Sequence, residues 1–213
     1  MDEVDGFASY LLDTDQVRTF DEMLVAIRRA DLDELVRPEI IHRHVLGFIQ
    51  LRIATRRSKE LRIHYWPIAV SFSEEPHTHL WNLTSYVLAG EIASTEYAVE
   101  STPDDRTGQQ IFIVKPAANG TVRVATGQHA RVSVSAIGSH RAGSVYMVDH
   151  GVYHISGPVS GMALTLITTS APMSAFPLVV TNPQSSRSGH APMTPATTQE
   201  QHEFRSILWQ AIQ

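Results

Sequence analysis

The stretch Pro76-His77-Thr78-His79 carries the residues best suited to do chemistry, with His154 as a distant third. On an extended chain alternate side chains project to one face. His77 and His79 would then present two imidazoles together, about 7 Å apart at their Cα atoms. Both can reach one metal ion, and His154 from a neighbouring strand completes a facial set of three. With no cysteine in the chain, disulfides, thiolate zinc sites and iron–sulfur clusters are excluded, so any metal is held by His, Asp or Glu. The chain has eleven histidines, so spacing rather than number has to select the ligands. His129, His140, His150, His190 and His202 have no partner at useful spacing and are read as structural or exposed.

The elements that must position this set are read as follows. Residues 14–60 read as helical: one helix capped by Thr14 or Asp15 runs to about Ala30, with Val17, Phe20, Leu24, Val25 and Ile27 as its apolar stripe. A second helix starts after Pro38 and carries Ile40, Ile41, Val45, Phe48, Ile49 and Ile53. The cluster Arg52, Arg56, Arg57 and Lys59 then complements its dipole. His42 and His44 on that helix do not face each other, which makes them poor ligands. From Leu61 the pattern turns to short strands: 61–66, 68–72, 76–79, 83–88, 92–99, 110–114, 121–125, 130–134, 144–148, 153–156 and 162–168. Turn residues separate them, as expected of a jelly-roll barrel or sandwich. Residues 171–197 are rich in Pro, Ser and Thr. Thr198-Gln199-Glu200-Gln201 reads as a capping box for a last helix with Phe204, Ile207, Leu208 and Ala211 on its apolar face. The expected organisation is a helical segment over 1–60 packed on the barrel, a mostly-β barrel over 61–180, and a tail with a short C-terminal helix over 181–213.

Composition narrows the function classes. A formal net charge of −5 gives no general pull toward nucleic acid or anionic membrane. No apolar run is long enough for a transmembrane helix, and the acidic start does not read as a secretory signal, so a cytoplasmic location is the expectation. There is no Gly-rich phosphate loop and no nucleophile elbow. Pocket chemistry is left to a metal and its surroundings.

The residues also carry a resemblance. His77-Thr78-His79 followed after ten residues by Gly90, and Gly143 followed after five by Asp149-His150-Gly151 and then His154, resemble the two motifs of the cupin superfamily. The pattern departs where cupins have a metal-binding Glu: that position falls on Leu83 or Thr84. The Gly expected before His77 is Ser71, and Asp149 replaces a Pro. A three-histidine set resembles the cysteine dioxygenase-like group, which implies a mononuclear non-haem Fe(II) centre, although Ni, Cu or Zn can occupy such a site. The strand that carries Ser-x-His-x-Tyr in that group is matched here by Thr165, Ile167 and Thr169. The resemblance therefore brings the metal set without those oxygen-handling side chains.

Around the centre, Arg62 and His64 are read as alternates, with only one looking into the barrel. Arg62 would clamp a carboxylate, or His64 would shuttle a proton. Tyr86 and Tyr153 are candidates to orient substrate or oxygen, with core packing as their other reading. Trp81 and Asn82 are placed at the pocket mouth, and Glu74 and Glu75 as outer carboxylates or solvated loop residues. The implied function is an Fe(II) dioxygenase or oxygenase that takes O2 and a small polar substrate such as an amino acid or derivative. The alternatives are a non-redox metal isomerase or lyase, or a binding protein without turnover. A monomer or homodimer is expected, and the last helix docks on its own barrel or, as the other reading, on a second copy.

Overall fold

A computed structural model of the chain describes residues 3–14, 16–31, 36, 41–44, 46–67, 75–103, 106, 108–117, 120–182 and 193–213. The readings placed on Asp15, Pro38, Ile40, Val45, the strand over 68–72, Glu74 and His190 lie outside the described residues. The elements are α1 (Glu3–Leu12), α2 (Phe20–Arg29), β1 (Ile41–Arg43), β2 (Ile49–Arg56), β3 (Lys59–Trp66), β4 (Leu83–Ala89) and β5 (Glu91–Thr102). There follow β6 (Gln110–Ala117), β7 (Gly120–Arg141), β8 (Val145–Val148), β9 (Tyr153–Pro158), β10 (Ala163–Thr169), β11 (Leu178–Thr181), β12 (Thr194–Pro195) and α3 (Thr198–Ile212).

Two antiparallel sheets result, in the orders β12-β1-β2-β3-β10-β4-β8 and β11-β6-β7-β5-β9. Strands pass between the sheets along the chain: β4 is in the first and β5 in the second, β7 in the second and β8 in the first, β9 in the second and β10 in the first. That alternation is the wiring of a jelly roll, and the mostly-β fold expected from the strand pattern is the one observed. The Pro76–His79 stretch is not a regular strand. It bridges the two outer strands of the second sheet, His77 pairing with His154 on β9 and with Val179 on β11. Four backbone bonds hold it there: His77 N–H to the His154 carbonyl (3.2 Å), His154 N–H to His77 (3.0 Å), Thr78 N–H to Leu178 (2.9 Å) and Val180 N–H to Pro76 (2.9 Å).

The second helix read after Pro38 is not present among the described residues of 41–56, where Ile41–Arg43 form β1 and Ile49–Arg56 form β2. Ile49, Leu51 and Ile53 fit a period of two as well as a helical stripe, and here the period of two wins. A two-residue loop joins β2 to β3, with Arg57 and Ser58 both at positive φ (51° and 62°). That is the geometry of a type I′ hairpin made without Gly or Asn. The basic cluster therefore sits on a hairpin, where Arg56 and Arg57 pair with Asp13. The capping residue of α2 is Thr19, not Thr14 or Asp15, in a reciprocal box with Glu22. Met23 and Ile27 are its buried positions, whereas Val17 and Val25 are exposed. The box of α3 starts one residue earlier than expected, at Thr197 with Glu200. The Pro/Ser/Thr-rich stretch contributes β11, and β12 pairs with β1.

The main apolar core lies outside the barrel interior. Leu61, Ile63 and Tyr65 of β3, Tyr86 and Leu88 of β4 and Leu164 and Leu166 of β10 face helices α1, α2 and α3, where Phe7, Leu12, Met23, Ile27, Phe204 and Leu208 cover them. Each such side chain stabilises the fold by about 1.5–3 kcal/mol through loss of apolar surface to water. The last helix thus packs on its own sheet. Gly90 turns β4 into β5 at φ +74°, and a Cβ there would lie 2.2 Å from the Met162 carbonyl oxygen and 2.9 Å from Ala163 Cα. No other residue fits that close backbone approach. Among the described residues no helix is long and apolar enough to cross a membrane.

Candidate metal centre

Along β3, β4 and β10 the residues between those core positions point the other way, into the space between the sheets. His154 comes from β9, while His77 and His79 come from the bridging stretch. Their rings gather with centroids 5.3 Å apart for His77 and His79, 4.8 Å for His77 and His154, and 4.8 Å for His79 and His154. One ring nitrogen from each lies within 4.8 Å of the other two, and among the described residues no carboxylate joins them. Three atoms no farther apart than 4.8 Å share a centre within about 2.8 Å of each, against about 2.0–2.1 Å for a zinc–imidazole bond. Closing around an ion asks each ring to move less than about 1 Å, so the donor set fits a metal.

Tautomers are set by the backbone. His77 Nδ1 lies 3.1 Å from the Glu75 carbonyl and His154 Nδ1 lies 3.3 Å from that of Val152. With the proton held at Nδ1, each Nε2 lone pair is left for a metal. Burial pushes the His154 imidazole down to about 3, with His77 adding to the shift. Burial lowers His79 well below its ordinary value, helped by His154 and His77 and by the nearby Arg62 and His64. His77 is lowered by burial and pulled partly back by Glu75. All three are therefore neutral at pH 7, the form that binds metal. The Glu75 carboxylate, read as an outer or solvated group, is held by Arg123 through two bonds of 2.8 and 2.5 Å. The two motifs are also tied together: Asn82, after His79, accepts from the His150 backbone N–H at 2.8 Å.

The other expected site residues divide. Arg62 and His64 stand two apart on β3 and share the inward face, so they are not alternates. Arg62 is no clamp awaiting a carboxylate, because its Nε and Nη2 both donate to Glu60 and its guanidinium lies 4.9 Å over Trp81. Trp81 in turn stacks on His79 at 6.2 Å and 13°. His64 is buried and stacked on Phe48 at 4.2 Å, and burial drives its pKa well down. Tyr86 is not at the site; it is buried in the helix-covered core, one position out of phase with the inward Ser85. Tyr153, next to His154, faces the opposite way and packs beside Ile111, Ala130 and Val180. Leu83, one of the two positions read for a ligating Glu, faces inward against Val148 and Ile167.

Some interior residues escaped the sequence reading. His44 stacks on the far face of Phe48 at 4.3 Å, accepts from the Leu46 N–H, and is pushed by burial to about 3, with His77 contributing. The helix read over this segment hid it. Ser85 and Tyr146 lie opposite each other on β4 and β8, and Tyr146 stacks on His140 at 4.1 Å. The Ser85 hydroxyl lowers the phenol's pKa against a larger upward push from burial, yet its Oγ makes no hydrogen bond of good geometry. Period-two alternation around Leu83 would have flagged Ser85.

No family model matches the chain, and no curated protein does either. Among solved structures, it is similar to a conserved protein with a double-stranded β-helix domain from Klebsiella pneumoniae, at 15% identity over 68% of this chain and 91% of that one, with a TM-score of 0.37. It is similar to the cupin domain of Schizosaccharomyces pombe Cnp3 at 11% identity over 58% and 61%, with a TM-score of 0.35. It is also similar to an oxalate decarboxylase from Lactobacillus farciminis in complex with formate at 13% identity, over 63% of this chain and 31% of that one, with a TM-score of 0.35.

Proposed function

We propose that the chain is a metal-dependent enzyme of the cupin type, with His77, His79 and His154 holding a single Fe(II) and a small polar substrate binding beside it. The observation that supports this reading most is three neutral imidazoles converging, His154 buried and His77 and His79 half-buried, with no carboxylate of the described residues among them. Buried lone pairs facing one another are costly unless a cation joins them. When bound, Fe(II) supplies a site for a chelating substrate head and for oxygen.

The chain's own residues do the rest. The Glu75 and Val152 carbonyls hold the His77 and His154 rings in the tautomer that offers Nε2. With Leu83 and Thr84 at the positions read for a ligating Glu, a metal held by the three histidines would keep its full positive charge, which would favour an anionic or chelating head on the substrate. Trp81 packs on His79 and, with Leu83, Val148 and Ile167, keeps water from that side of the centre. An amino acid or a derivative has a head of the required kind.

The test is anaerobic loading with Fe(II), followed by oxygen-uptake measurements against amino acids and their derivatives. Substrate-dependent oxygen uptake that disappears in His154→Ala is the expected result. Turnover supported by Zn(II) and indifferent to oxygen would overturn the oxygenase reading while leaving the metal set intact.

A further inference from the structure

The interior floor beside the three histidines carries polar atoms without a hydrogen bond of good geometry, the Ser85 hydroxyl meeting only the Tyr146 phenol across from it. Among the described residues, His64 Nε2, Ser85 Oγ, Thr165 Oγ1 and Trp81 Nε1 are buried without a hydrogen-bond partner. Native proteins contain few such atoms, and leaving one unpaired costs about 1–3 kcal/mol. The first three are neighbours. His64 and Thr165 are direct cross-strand partners on β3 and β10, and Ser85 on β4 pairs with Ile167, two residues along β10 on the same face. Trp81 packs against the cluster of Leu83, Val148 and Ile167 and stacks on His79, which links the floor to the metal set. His64, Ser85 and Thr165 are only 7%, 0% and 1% exposed, so bulk water does not serve them.

We propose that this floor is the subsite for the far end of the substrate, and that it selects a neutral hydrogen-bonding group, a hydroxyl or a carboxamide. The inference rests on the metal-centre reading, which supplies the anchor for the other end. Two hydroxyls and an imidazole can each donate or accept, and the indole N–H donates. A hydroxyl or carboxamide, with donors and acceptors of its own, can engage several of them. A carboxylate is disfavoured, because the cation at this level, Arg62, is already answered by Glu60 through two donors. A methyl end would leave every one of these atoms unpaired. A site built to bond a polar group rejects an analogue lacking it much more strongly than an apolar pocket rejects a missing methylene.

The experiment uses the full chain loaded with Co(II), whose visible absorption reports ligand binding. The probes are four hydroxamates with one chelating head and tails ending in methyl, hydroxyl, carboxamide or carboxylate, each made in several lengths. At the best length the hydroxyl or carboxamide tail is expected to bind at least about tenfold tighter than the methyl tail, the gain of about one well-made buried hydrogen bond. In Thr165→Val and in Ser85→Ala that preference falls below about threefold, while Co(II), which uses neither hydroxyl, is still held. Equal affinity for methyl and polar tails, or tightest binding of the carboxylate tail, overturns the proposal and leaves the metal centre standing. A protein that takes up no Co(II) overturns the metal reading, and this proposal with it. The tail comparison on the unsubstituted chain decides the matter even if a variant fails to fold.

Discussion

The two faces of one sheet obey opposite rules. Leu61, Ile63, Tyr86, Leu164 and Leu166 fill a core roofed by three helices. One residue out of phase on the same strands, Arg62, His64, Ser85 and Thr165 turn charged and polar groups, three of them unpaired, toward the three histidines. The apolar face supplies stability. That surplus lets the other face keep buried polar atoms whose burial is unfavourable until something binds. A change on one face should therefore be read by stability and a change on the other by binding.

The largest effect is expected at the centre of the polar face. His154→Ala removes one donor of three and should weaken Co(II) or Fe(II) affinity by more than about 100-fold, beyond the range typical of a ligand's outer partners. Its ring leaves a buried, neutral position, so the metal-free protein should keep its melting temperature to within a few degrees. Competition against a chromophoric chelator and thermal unfolding measure the two quantities. A strongly destabilised variant with unchanged metal affinity would show His154 to be a packing residue.

On the other face the readouts swap. Leu166→Ala, at a fully buried position under the helices, should cost about 2–5 kcal/mol in urea unfolding. Its neighbour Thr165→Val should cost less than about 1 kcal/mol or even stabilise, since no hydrogen bond is lost with the hydroxyl. Similar losses for the two substitutions would erase the distinction between the faces.

The sequence carried this two-faced design unevenly. The spacing from His77-Thr78-His79 to Gly90, and from Gly143 to His154, was readable because both glycines stand at positive φ and Gly90 admits no side chain. Face parity was readable but fragile. Tyr86 and Tyr153 each sit one residue from an inward position, which is enough to send them outward. Arg62 and His64, two apart, go in together. The β2–β3 hairpin was hidden because Arg57 and Ser58 adopt a turn normally marked by Asn-Gly, and because Ile49 and Ile53 also fit a helix. His44 was lost with it, since only the hairpin brings it onto Phe48. Arg62's pairing with Glu60, which decides what it can bind, depends on rotamers that no spacing specifies.

Acid should act mainly through the polar face. Burial lowers His44 to about 3 and His64 well below its ordinary value. The unfolded chain therefore takes up protons near pH 6.5 that the folded state refuses, so ν_U exceeds ν_N and stability rises with pH in that window. The contribution is fully present above about pH 6.5 and is lost as pH falls toward 3, at no more than about 1.4 kcal/mol per pH unit for each such histidine. For the metal-free protein, unfolding free energy in urea should fall between pH 7 and pH 5. His44→Phe, which keeps the stack on Phe48, should flatten that slope by close to one proton. An unchanged slope would mean that His44 is protonated in the folded state.

The smallest effect probes how far the metal set depends on its supports. Arg123 on β7 grips the Glu75 carboxylate, and the Glu75 carbonyl in turn orients His77. Arg123→Gln removes the ion pair but not the carbonyl, so it loosens the stretch that presents His77 without deleting a ligand. Affinity for Co(II) should fall by roughly three- to tenfold, at or below the low end of the range for outer partners. Stability should change by less than about 1 kcal/mol, as for a partly exposed ion pair. Glu75→Gln should give the same loss, and the double variant no more than either alone, because both substitutions remove one interaction. Additive losses would mean that the two side chains act separately, and that the backbone bonds of His77 to His154 and of its neighbours to β11 already fix the ring.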